Sequence, residues 1–132
     1  MKLYADEEGA PEVRTWRGPV LVSALSMTEV LAAVWGKTLR GELSRPQASV
    51  LDRAFVADIR QGRFEVLPVA PQVVARSLEC VRRHRLPSAD AVQLASALLA
   101  RDAAPEVSAM VVFDQRLRGA ASAEGFRLLP AA

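Results

Sequence analysis

Short apolar runs alternate with longer amphipathic segments along almost the whole chain, and this alternation limits the fold more than any other feature. The runs at 19–25 (PVLVSAL), 64–69 (FEVLPV), 107–113 (VSAMVVF) and 126–129 read as strands. Helical patterns with their own start and stop signals lie between them. Ser26, Met27, Thr28 and Glu29 match a capping box, which predicts a helix to about Arg40, ended by Gly41. Ser44 to Gln47 is a second capping box. The helix it opens carries Val50, Leu51, Ala54, Phe55, Ala57, Asp58 and Ile59 at mostly i, i+3, i+4 spacing, with Gly62 as its C′ residue. Pro71 opens a helix to about His84, and Ser88 caps another through about Ala100. A short helix over 115–123 stops at Gly125. Residues 2–5 read as one more short strand and 12–17 as a brief helix.

Strands separated by helices need crossover connections. The expected fold class is therefore α/β, with a central, mainly parallel sheet and helices on both faces. A length of 132 residues suits a single domain spanning 1–132. The runs at 20–25 and 109–113 are continuously apolar, as strands buried on both faces should be. With 51% apolar and 24% charged residues, the chain has the balance of an ordinary globular protein, which excludes disorder.

Several function classes drop out. No apolar run reaches the roughly 18 residues of a membrane span. No basic segment followed by an apolar one opens the chain, so secretion is not expected. Cys80 is the lone cysteine and His84 the lone histidine, a set too small for a zinc site or an internal disulfide. A reducing cytoplasm is the expected compartment. Neither a Walker loop nor a GxGxxG is present. An Asp-x-Asp pair after the first strand, which a haloacid-type phosphatase needs, is missing too.

The net charge is +2, and 15 of the 17 basic residues are Arg. Arginine forks onto phosphate bidentately, but a GC-rich genome produces the same bias. Arg82, Arg83, His84 and Arg85 form a basic tract that suits either RNA phosphates or a solvated helix end. Trp16 and Trp35 read as core anchors rather than base-stacking platforms.

The carboxylates say more. In open parallel sheets, ligands bind beyond the carboxyl ends of the strands. Asp114 follows the strand over 107–113, Glu29 follows the strand over 19–25, Asp6 follows 2–5, and Asp90 lies in the first turn of the helix opened at Ser88. Taken singly, each has a plain structural reading. Glu29 closes a capping box, Asp90 complements a helix dipole, Asp114 caps the next helix, and Asp6 sits in the acidic run Asp6-Glu7-Glu8. Taken together, four such groups at one rim repel and call for a cation. Hard oxygen donors without His or Cys suit Mg²⁺ or Mn²⁺.

These segments resemble the PIN-domain family, especially VapC-like toxins of bacterial toxin–antitoxin pairs. The similar stretches are DEEGAPEV (6–13), VLVSALSMTEVLAAV (20–34), FEVLPV (64–69), RRHRLPSADAVQLASALLA (82–100), VVFDQRLRGAA (111–121) and GFRLLP (125–130). ADAVQLA and FDQRL are the most specific. The resemblance implies an α/β nuclease fold and Mg²⁺- or Mn²⁺-dependent cleavage of RNA. It places the family's acidic residues on Glu29, Asp90 and Asp114, and it implies a cognate antitoxin and a homodimer as partners. The first strand-and-helix unit departs from the family, because Met1 to Tyr4 run straight into Ala5-Asp6. Either residues 1–4 end a helix whose start lies upstream, or residues 1–6 are the first strand, with Asp6 as the fourth carboxylate. The two functional expectations are an endoribonuclease toxin and an impaired PIN-fold protein that only binds antitoxin or RNA.

Overall fold

The computed structural model describes residues 20–62, 64–112 and 114–129. The expected elements at 2–5 and 12–17, with Asp6 and Trp16, lie outside them. The chain divides into two compact units, one ending at Val66 and the other starting at Leu67.

The first unit contains β1 (Val20–Ser23), α1 (Ala24–Leu39), α2 (Arg45–Arg60) and most of β2 (Phe64–Leu67), and β1 pairs with β2. The start of α1 differs from the sequence expectation. Ser23, in extended conformation, is the N-cap, and its hydroxyl accepts from the Leu25 N–H at 3.3 Å. Ser26 and Glu29 therefore lie inside the helix, and no acidic residue occupies its first turn. Ala24 and Leu25 are good helix formers, so the helix begins at the first available cap.

The capping box at α2 is present in full. Gln47 N–H donates to Ser44 Oγ at 3.2 Å, and Ser44 N–H donates to Gln47 Oε1 at 2.8 Å. Gly41 and Gly62 follow the C-caps of α1 and α2 at φ +73° and +75°, where a side chain would be strained. α2 buries Ala48 and Phe55, whereas Val50 of the expected apolar set is 57% exposed. Trp35 anchors α1 to α2 by donating from Nε1 to Asp52 Oδ2 at 2.9 Å. Phe55 packs against Phe64 with ring centres 5.8 Å apart.

The second unit contains α3 (Pro71–His84), α4 (Ser88–Ala103), β3 (Ala109–Val111), α5 (Gln115–Ala123) and β4 (Arg127–Leu129). α4 runs three residues past its expected end, and its N-cap is Pro87 rather than Ser88. β3 and β4 are parallel, in the register Ala109–Arg127, Met110–Leu128, Val111–Leu129. β3 is shorter than the apolar run predicts, and Val111 is 40% exposed, so the strand is not buried on both faces. β3 pairs with β4 alone among the described residues. The core joins Val73 and Cys80 of α3, Ala91, Leu94, Ala95 and Leu98 of α4, and Leu117, Ala120 and Ala121 of α5.

A polar latch closes one side of this core. His84 Nε2 and Glu124 Oε1 are 3.0 Å apart, and both side chains are largely buried. Arg83 approaches the same oxygen at 3.3 Å. The hydrogen bond from His84 and the nearby arginines hold the Glu124 carboxyl below the usual carboxylate range. A carboxyl depressed in the folded state stabilises fully above its unfolded pKa, and that stability is lost as pH falls through the folded value. Glu124→Gln should therefore cost about 1–2 kcal/mol near neutrality and flatten the loss of stability below about pH 5, read from urea midpoints across pH. An unchanged acid limb would remove Glu124 as its source.

Candidate active site

Two of the four expected carboxylates belong to the second unit, and its topology fixes where they stand. Asp90 is the third residue of α4, in the first turn, where its charge complements the helix dipole. Ala91 and Leu94 beside it are fully buried, which sets that turn firmly in the core. Asp114 is the N-cap of α5. Its Oδ1 accepts from the N–H of Arg116 at 3.0 Å and of Leu117 at 3.1 Å. Both bonds fall on one oxygen, so Oδ2 accepts from no described residue. The structural reading of Asp114 as a cap is thus correct, and it leaves half the carboxylate available.

The parallel pair sets where α5, capped by Asp114, leaves the strands. Arg127 N–H donates to Ser108 O at 2.8 Å where β3 and β4 begin, and Val112 N–H donates to Leu129 O at 3.0 Å where they finish. Residues 104–108 lead from α4 into β3, so α4 ends near the start of the strands. α5 leaves the far end of β3 and returns to the start of β4, where Phe126 N–H donates to Ala121 O at 3.0 Å. Arg101, in the last turn of α4, joins the two helix ends. Its Nη1 donates to the Glu124 carbonyl at 2.6 Å, and its guanidinium lies 4.2 Å from the centre of the Phe126 ring. α4 packs against α5. Asp90 lies in the first turn of α4 and Asp114 caps α5.

The other two acids are not joined to this pair by the described structure. Glu29 lies in the second turn of α1, in the first unit, and its capping role is overturned by Ser23. Asp6 lies outside the described residues. No group of three or more His, Cys, Asp or Glu side chains suited to a metal ion forms among the described residues. The pair itself offers hard oxygen donors, which fit Mg²⁺ or Mn²⁺ and not a softer metal. Cys80 is no rival nucleophile, since burial, reinforced by Glu124, pushes its thiol up. Sequence reasoning missed Arg101 and Glu124. A last-turn arginine signals only dipole compensation, and nothing local links it to a carbonyl 23 residues away.

Among the described residues no helix is long and apolar enough to cross a membrane. No curated protein matches the chain. The PIN domain family matches residues 1–122. Its fold is generally a nuclease fold, and its members are commonly hydrolases that use divalent metals. With the match covering most of the chain, this protein belongs to the PIN domain family.

Proposed function

We propose that this protein is a Mg²⁺- or Mn²⁺-dependent endoribonuclease, the toxin of a toxin–antitoxin pair. The observation that carries the reading is the PIN domain match over residues 1–122, with Asp114 directly after β3 and one of its carboxylate oxygens left clear of the α5 cap. Asp90 and Asp114 would hold the ion. The chemistry such an ion would supply is activation of water for attack on a phosphodiester and relief of charge on the leaving oxygen. The chain's part is positional. Asp114 keeps Oδ1 on the α5 amides and presents Oδ2, while the buried α4 turn holds Asp90. Family membership supports the nuclease activity. The toxin role, the antitoxin partner, a homodimer and a cytoplasmic setting rest on the resemblance to VapC-like toxins.

Metal binding tests this directly. An ion that binds only the folded state adds about 2.7 kcal/mol at a hundredfold excess over its Kd. Mn²⁺ or Mg²⁺ should therefore raise the melting temperature. Asparagine caps a helix as well as aspartate. Asp114→Asn should keep the melting temperature measured in EDTA yet lose most of the metal-induced rise. An equal rise in the variant would remove Asp114 from the site, and RNA cleavage that survives EDTA would overturn the metal mechanism.

A further inference from the structure

The chain passes from β3 into α5 over residues 112–114, and this corner carries Asp114. Val112 is 3% exposed, so its carbonyl needs a partner inside the protein. That partner is a charged side chain: Arg118 Nη1 donates to the Val112 carbonyl at 2.7 Å. Arg118 is half-buried and lies one turn past Asp114 on α5. Its own N–H donates to the Asp114 carbonyl at 2.9 Å. Helical side chains lean toward the N-terminus of their helix, which carries the guanidinium back across the corner to the end of the strand.

The corner is thereby tied on both sides. On the strand side, Val112 N–H donates to Leu129 O at 3.0 Å, and Val112 O accepts from Arg118. On the helix side, Asp114 Oδ1 accepts from the amides of Arg116 and Leu117. Arg118 joins the two sides, with its main chain on Asp114 and its tip on Val112. A neutral donor would satisfy a buried carbonyl, but a charge-assisted bond holds it more tightly, and the planar guanidinium loses less freedom in making it. Such stiffness suits a carboxylate that must hold its place to within about 0.5 Å.

We propose that Arg118 is a positioning residue for Asp114: by fixing the strand side of the corner, it keeps Asp114 Oδ2 where the ion binds. This rests on the metal-dependent nuclease reading for the ion. In this role Arg118 touches neither ion nor RNA and acts through the Val112 carbonyl.

The test uses the full chain and Arg118→Met, which keeps an apolar stem and removes the donors. Amide exchange followed by NMR in EDTA should be about tenfold faster at Val112 and Leu117, and unchanged at the fully buried Leu94 and Leu98 of α4. Mn²⁺ binding, read from the paramagnetic signal of the free ion, should weaken about tenfold or more, the usual effect of losing a group that orients a ligand. At saturating Mn²⁺, KM for a labelled RNA should hold while kcat falls. Faster exchange at all four amides with unchanged Mn²⁺ affinity would make Arg118 a stability residue and overturn the proposal. A raised KM with unchanged Mn²⁺ affinity would make it an RNA contact and overturn the proposal too. Arg118→Gln, which leaves a polar tip, takes the same measurements if the methionine variant does not fold. A parent that binds Mn²⁺ without cleaving RNA, with the variant binding it more weakly, would keep the role of Arg118 and sink the nuclease reading. A parent that binds no Mn²⁺ would overturn both.

Discussion

Asp90→Asn should lower RNA cleavage by about a thousandfold or more, equivalent to about 4 kcal/mol of transition-state stabilisation. Asparagine keeps the shape of the side chain but removes the charge that would hold a cation. The substitution sits in the first turn of α4, beside the fully buried Ala91, and changes none of the core residues. Losing the charge from the helix N-terminus costs about 0.3–1 kcal/mol in stability. The measurement is single-turnover cleavage of a labelled RNA at saturating Mn²⁺, with circular dichroism to show that the fold persists. Cleavage within tenfold of the parent would take Asp90 out of the catalytic set.

Leu94→Ala should have the largest effect on stability. Leu94 is fully buried among α3, α4 and α5 and lies one turn past Asp90. Removing its branched end loses transfer free energy and leaves a cavity, at about 2–5 kcal/mol. A domain of this size has about 5–15 kcal/mol in all, so a large share of the stability goes. The urea midpoint should drop accordingly, with the slope m preserved. Cleavage should also fall below what the folded fraction explains, since the turn carrying Asp90 loses its seat. A loss under about 1 kcal/mol would show that the neighbouring side chains close the gap.

The two halves of the candidate site differed in how far the sequence revealed them. The bounds of α3 and α5 were readable because proline and glycine mark them: Pro71 opens α3 and Gly125 closes α5. The capping box at Ser44 was readable because two local hydrogen bonds define it. Glu29 was misread from the same kind of signal. Ser26-x-x-Glu29 has the right spacing, but Ser23 precedes it on an extended backbone and captures the helix start. A spacing rule does not weigh two caps against each other. The Arg101–Glu124–Phe126 contact had no sequence signature, because it joins the ends of two helices that a strand separates in the chain.

That contact staples the end of α4 to the turn leading from α5 into β4. A staple across 23 residues makes the two ends open as one unit rather than separately. Arg101→Ala should therefore speed amide hydrogen exchange at the end of α4 and at residues 124–126 together.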